Sequence, residues 1–278
     1  MDFVVVVNKE INRTSRDIVN DLNKILGTKR IGHTGTLDPI ATGVLVVCVG
    51  KYTKLVNLLT SLDKEYIATI KLGVKTDTLD ITGNVIEEQT FNVDKELVIN
   101  TLNTFLGKSI QEVPAYSAVK INGKKLYEYA RNNEEIELPK RTITVNSIEL
   151  LEFKDDLITF KVNVSKGTYI RSLIQDICTK LGTVGTMSSL IRTKQGMFDI
   201  ENSYKLESIK NNNYKKFNVK ELFNYEIREL TEEEYFRVKN GNYINVEMDD
   251  QLVILTYNGL DIAIYEIKNN IAKPYIML

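Results

Sequence analysis

Histidine is almost missing from this chain: among 278 residues there is one, His33, alongside two cysteines and four prolines. A single histidine leaves the common kinds of zinc site without ligands and gives Ser-His-Asp or Cys-His schemes only one base to draw on. Cys48 and Cys178 stand far apart in apolar surroundings, without metal-ligand spacing, so buried free thiols are expected. No run approaches the roughly 18 apolar residues of a membrane span. The opening MDFVVVVNKE has too short an apolar run for a secretory leader, lacks a basic start and passes straight into charge, so a cytoplasmic protein is expected. No G-x-x-x-x-G-K-[ST] loop occurs, and residues 32–35 are not a dinucleotide fingerprint. Neither a metal nor a small-molecule cofactor is therefore expected.

What is present is an ordinary globular composition, 43% hydrophobic and 26% charged, long enough for one large domain or a large and a small one. The net charge of −1 argues at first against a nucleic-acid partner, but its distribution is uneven. Residues 221–278 hold 5 Lys and Arg against 11 Asp and Glu, leaving 31 and 26 for residues 1–220. The larger part is mildly basic, which permits RNA binding through a local patch.

Periodicity predicts the elements. Residues 3–7 read as a buried strand. A helix capped by Thr14 or Ser15, with Ile18, Val19, Leu22, Ile25 and Leu26 on one face, stops at Gly27. Residues 29–39, with two glycines, two threonines and an Asp-Pro step, read as a loop. A strand over 43–49, a helix over 52–62, an alternating strand over 65–72 with Tyr66 on its apolar face, and a helix over 94–106 follow. Residues 108–140 are less regular and rich in lysine and tyrosine. Two strands over 142–164 meet at Asp155-Asp156, and a helix runs over 170–181. The polar stretch 211–216 reads as a loosening of the chain. Two short strands flank Asn258-Gly259, a hairpin signal. The expectation is a mixed α+β domain over 1–220, with a largely antiparallel central sheet and flanking helices, followed by a small β-rich domain over 221–278.

On residues alone, Asp38 in its Asp-Pro step is more simply a turn residue than a reactive one. The whole string Arg30-Ile-Gly-His-Thr-Gly-Thr-Leu-Asp-Pro-Ile-Ala-Thr-Gly-Val-Leu45 closely resembles the signature of the TruB-type tRNA pseudouridine-55 synthases. Lys64-Glu-Tyr-Ile-Ala68, Thr76-Asp-Thr-Leu-Asp80 with Gly83, Tyr116-Ser-Ala-Val-Lys120, Gly123-Lys-Lys-Leu-Tyr-Glu-Tyr-Ala-Arg131 and Ser165-Lys-Gly-Thr-Tyr-Ile-Arg-Ser-Leu173 are similar to further segments of that family. The likeness covers about two thirds of the chain. Much more weakly, the last fifty residues resemble the PUA-like domain that ends many members.

The resemblance implies isomerisation of uridine to pseudouridine in the T-loop of tRNA by a monomer. Asp38 is implied as nucleophile, with attack at C6 of the base or at C1′ of the ribose both left open. Arg171 is implied as its charge partner and Tyr66 as the residue that stacks on the flipped uracil and takes its proton. Tyr169 and Leu190 would line the pocket, and His33 would enter the T-loop as a wedge, unless it instead holds the Asp38 loop by a hydrogen bond. Lys9 would buttress that loop and help bind substrate. Lys120, Lys124, Lys125 and Arg131, among Tyr116, Tyr127 and Tyr129, would meet the RNA backbone. The bland readings are a core tyrosine, a surface arginine and a solvated charged face. The competing function is an RNA-binding or tRNA-folding factor that uses the same docking surface.

Overall fold

The computed structural model describes residues 1–132 and 134–278. The first apolar run forms strand β1 (Phe3–Lys9), and helix α1 (Ser15–Leu26) follows. Thr14 caps the helix. Its hydroxyl accepts from the Asp17 amide at 3.1 Å, while the Asp17 carboxylate accepts from the Thr14 amide at 2.8 Å. This exchange satisfies donors that the first turn leaves open. Gly27 ends the helix at φ 65°, a conformation that costs glycine nothing.

The glycine-rich segment is not all loop. Its first residues form β2 (Ile31–His33), which pairs antiparallel with β3 (Thr42–Val49). The helix expected over 52–62 begins as a 3-10 turn (Gly50–Leu55) before becoming α2 (Val56–Thr60). Strand β4 (Lys64–Leu72) alternates as read, burying Tyr66, Ala68, Ile70 and Leu72. A small hairpin, β5 (Val74–Thr76) and β6 (Val85–Glu88), leads to α3 (Lys95–Asn103), which Asp94 caps. The lysine- and tyrosine-rich segment starts with β7 (Gly107–Glu112) and contains β8 (Lys120–Ile121), β9 (Lys124–Lys125) and α4 (Leu126–Arg131). The long strands β10 (Lys140–Lys154) and β11 (Leu157–Val164) meet at Asp155, and α5 (Ile170–Lys180) follows.

Strand β12 (Gly185–Gln195) has no counterpart in the reading of the sequence, yet it lies in the middle of the sheet. Only Met187, Leu190 and Ile191 mark it as apolar. Its polar side chains are consumed internally: Ser188 donates to the Thr69 carbonyl, Ser189 to the Thr69 hydroxyl, and Thr186 meets Thr76. The sheet runs β1-β3-β12-β4-β11-β10-β7. Along this path every pairing is antiparallel except β3 with β12. That pair is parallel and only two residues wide, Ile191 against Thr42 and Arg192 against Gly43. The chain is thus mixed α+β with a mixed central sheet. Helices α1, α3 and α5 contribute to the core on one side of it.

The stretch 211–216 does not loosen the chain. It lies among β13 (Phe198–Asp199), α6 (Leu206–Lys210) and α7 (Val219–Leu222). Its Tyr214 ring packs 5.9 Å from that of Phe3, and Phe217 exchanges backbone hydrogen bonds with Val4. The remaining chain forms a five-stranded sheet of β14 (Glu226–Glu229), β15 (Ile244–Asn245), β16 (Leu252–Tyr257), β17 (Leu260–Lys268) and β18 (Ile271–Met277). One helix, α8 (Glu232–Lys239), packs beside it. Ile254 and Ile264 of this sheet join Val4, Val6, Val44, Val46 and Cys48 in one buried cluster. Both cysteines are free and buried. Among the described residues, no helix is long and apolar enough to cross a membrane.

Candidate active site

Asp38 lies on the connection between β2 and β3, where the backbone bonds to strand neighbours at few points. Four side chains fasten it from behind. Lys9 is fully buried, and its ammonium donates to the carbonyls of Glu10, Arg13 and Pro39 at 2.9, 2.6 and 3.2 Å. The Ser15 hydroxyl accepts from the Leu37 amide at 2.9 Å. Arg192, 1% exposed, donates from Nε to the Val44 carbonyl at 2.6 Å and from Nη2 to the Gly35 carbonyl at 3.1 Å. Gln195 donates to the Thr34 hydroxyl at 2.6 Å and the Leu59 carbonyl at 2.9 Å. A charge taken out of water must find such partners. Gly43 makes the approach possible, because a Cβ there would strike the Arg192 backbone carbonyl.

Against this fixed loop Arg171 presents its guanidinium edge-on. Nε donates to Asp38 Oδ2 at 2.9 Å and Nη2 to Oδ1 at 3.1 Å, the two-point geometry that makes Arg–carboxylate pairs specific. The same guanidinium donates to the carbonyls of Thr78 at 3.0 Å and Tyr116 at 2.9 Å. Arg171 is therefore no surface arginine: its side chain is 6% exposed, whereas that of Asp38 is 31% exposed. The pair leaves one face of the carboxylate open to an incoming molecule. Beyond Arg171 lies a cleft of about 330 Å³ lined by Thr78, Val113, Tyr116, Ser172, Gln175 and others; Asp38 does not line it.

The other residues singled out by sequence fall into two groups. Tyr66 is buried on β4 in register with Arg192. Arg192 is in turn in register with Gly43, so Tyr66 lies across the sheet from the end of the Asp38 loop. Leu190 packs in the same cluster as Tyr66. Tyr169 precedes α5, two residues before Arg171, with the Arg141 guanidinium 5.2 Å from its ring centre. The His33 ring is half-buried, and its Nδ1 accepts from the Gly35 amide at 3.4 Å. Burial, then the charges of Arg192 and Arg16, hold its pKa below the usual 6.5. Lys9 is buried under the loop, its ammonium taken up by the three carbonyls named above.

The second group is the lysine- and tyrosine-rich segment. Lys120 is exposed. Lys124 is held by Glu134 at 2.6 Å and lies 4.4 Å from the Tyr129 ring centre. Lys125 and Arg131 lie 5.3 and 5.5 Å from the ring centre of Tyr127. Sequence reasoning missed Arg192, Ser15 and Gln195 as supports of the loop. Their signal was weak, because nothing in one sequence marks an arginine or glutamine as buried. Among the described residues, no group of three or more His, Cys, Asp or Glu side chains is placed to hold a metal ion.

This geometry, an open carboxylate clamped by a buried arginine on a mixed α+β sheet, can be set against known proteins. Residues 23–170 match the TruB family pseudouridylate synthase (N terminal domain). The tRNA pseudouridine synthase B of Fusobacterium nucleatum subsp. nucleatum is 45% identical over 278 residues, covering 97% of each chain. That of Clostridium tetani is 47% identical over 247 residues, covering 87% of this chain and 85% of the relative. The fold is also that of a chain in the structure of an H/ACA RNP bound to a substrate RNA containing 2′-deoxyuridine. That likeness has a TM-score of 0.72 at 23% identity, over 99% of this chain and 84% of the other. The chain belongs to the TruB family of pseudouridylate synthases.

Proposed function

We propose that this enzyme isomerises uridine 55 in the T-loop of tRNA, with Asp38 as nucleophile. The observation that carries the reading is the two-point Arg171–Asp38 pair with its open carboxylate face. A carboxylate can form a covalent intermediate and leave again without a cofactor. Asp38 attacks the target nucleotide at C6 or C1′. The N1–C1′ bond breaks, the uracil turns, C5 bonds to C1′, and the bond to Asp38 breaks to return the free carboxylate. The C5 proton passes to solvent, directly or relayed through Tyr66, while N1 regains one. No atom is gained or lost.

A uridine in a folded loop must leave its stack first. His33, on the strand leading into the Asp38 loop, is our candidate wedge, and Tyr169 and Leu190 form the apolar lining. Lys120, Lys124, Lys125 and Arg131 are assigned to the RNA backbone. We assign catalysis to residues 1–220 and read residues 221–278 as a PUA-like domain, in a monomer acting in the cytoplasm.

The test is mass-spectrometric mapping of pseudouridine in a T-arm transcript treated with the purified protein. Wild type should convert uridine 55 alone, and Asp38→Asn should bind the RNA yet convert none. Residual turnover within about tenfold of wild type, only about 1.4 kcal/mol of barrier, would remove Asp38 from this role. Conversion at another position would overturn the substrate assignment.

A further inference from the structure

Helix α5 starts without a side-chain cap of its own, although it must place Arg171 in its first turn. The missing partner comes from another strand. Gln111 of β7 is polar, 1% exposed and buried where α5 begins. Its Oε1 accepts from the Tyr169 amide at 2.8 Å, and its Nε2 donates to the Tyr169 carbonyl at 3.0 Å. A side-chain amide here pairs with a main-chain unit as a neighbouring strand would. The Tyr169 carbonyl also accepts the first bond of the helix, from Leu173 at 3.0 Å, so both its lone pairs are used.

The neighbour of Gln111 across the ladder acts on the same place. Arg141 of β10 is in register with Gln111. It covers the Tyr169 ring at 5.2 Å and donates to the Gly167 carbonyl at 3.2 Å. Gly167, at φ 80°, has no Cβ to obstruct it. One cross-strand pair therefore grips the backbone before the helix, the ring of Tyr169 and the turn ahead of it.

We propose that Gln111 is a positioning residue for the reaction. By fixing the peptide groups of Tyr169 it sets the start of α5, and with it the guanidinium of Arg171 against Asp38. The inference rests on the function proposed above. The Gln111 side chain bonds to Tyr169 on both its polar atoms, so its loss should act on the chemical step and spare RNA affinity. Small misplacements of catalytic groups cost large factors in rate.

The test uses two variants in the full-length enzyme with a T-arm transcript, at a temperature where circular dichroism shows each to be folded. Gln111→Leu keeps the size and loses both bonds. Its single-turnover rate should fall by about tenfold to a hundredfold while the RNA Kd stays within about twofold. Gln111→Glu is the sharper variant. A protonated glutamic acid accepts from the Tyr169 amide and donates to its carbonyl, as glutamine does. The ionised form keeps only the first bond and repels the carbonyl. Burial lifts such a carboxyl above its ordinary value of about 4.3, against the pull of the Arg141 guanidinium across the ladder, which is held on the Gly167 carbonyl and the Tyr169 ring. The rate of Gln111→Glu relative to wild type should therefore rise as pH falls from about 8 to about 5.5. If Gln111→Leu does not fold, this ratio decides alone. A pH-independent ratio, with wild type active, would overturn the role of Gln111 only. Failure of wild type to form pseudouridine would overturn the proposed function and this inference with it.

Discussion

Lys9 spends all three ammonium protons on carbonyls, one of them that of Pro39 beside Asp38. Burial lowers its pKa from 10.5 to about 8, against the pull of the Asp38 charge. Above pH 8 the amine has one donor fewer, and a hydrogen bond of this kind is worth about 0.5–1.5 kcal/mol. Turnover should fall a few-fold as pH rises through about 8, a limb that Lys9→Met should abolish along with much of the activity. Lys64 is likewise lowered to about 8, chiefly by burial. It bonds to the Thr60 and Leu62 carbonyls instead, so Lys64→Met should leave the limb in place. Unfolding does not explain such a loss. In this window the unfolded chain still holds the proton that the folded one has lost, so these two lysines make the fold more stable as pH rises from about 8 to 10.5. The check is kcat/KM across pH for the three proteins. At this scale Asp38 and Arg171 could be found because they sit in distinctive strings. Arg192 could not: its partners are the carbonyls of Val44 on β3 and Gly35 in the loop before it, which no local pattern announces.

Among the elements, those with a strong period were legible. Helices α1 and α5 and the alternating strand β4 lie where their apolar residues put them, since burying one face decides each. Strand β12 was not legible, because its serines, Arg192 and Gln195 find their partners far off in sequence, on β4, on β3 and in the loop before β3. The two-residue strands β8 and β9 are likewise too short for any period to reveal. The segment that holds them yields a prediction about charge. Lys124 is paired with Glu134, whose carboxyl is lowered first by the Lys124 hydrogen bond. Exposed pairs of this sort add little to stability. Glu134→Gln should leave the melting temperature nearly unchanged, free Lys124 for phosphate, and steepen the log–log salt dependence of RNA binding by up to about one unit. Lys120→Ala, at an exposed cation, should flatten it by a similar amount. A slope unaltered in both variants would place the RNA elsewhere.

For the molecule as a whole, the five-stranded sheet is more than an appendage. Ile254 and Ile264 are fully buried against the strands that end at Lys9 and begin after Asp38. Lys51 and Lys54 donate to the carbonyls of Leu278 and Met277. Ile264→Ala should cost about 2–5 kcal/mol, read as a lowered denaturation midpoint of the entire chain in a single transition. Two separate transitions would mean that the sheets unfold independently. The Asn258-Gly259 hairpin was plain from sequence because both residues take left-handed conformations, at φ 50° and 76°, that a tight turn needs. Which face of that sheet would be covered was not plain, since both of its faces carry apolar residues.

The narrow parallel contact between β3 and β12 has a mechanical consequence. Asp38 hangs from the β1–β3 side of that seam, while Arg171 rides on α5, which packs on β12 and β4. The carboxylate and guanidinium therefore form a rivet across the narrowest pairing on the path from β1 to β7. Warming should part the seam before it melts the strands on either side. Catalytic capacity should then be lost reversibly several degrees below the loss of far-ultraviolet ellipticity, with the earliest amide-exchange gains around Gly35 and Gly43. Coincident loss of activity and ellipticity would show that the seam is as strong as the sheet it joins.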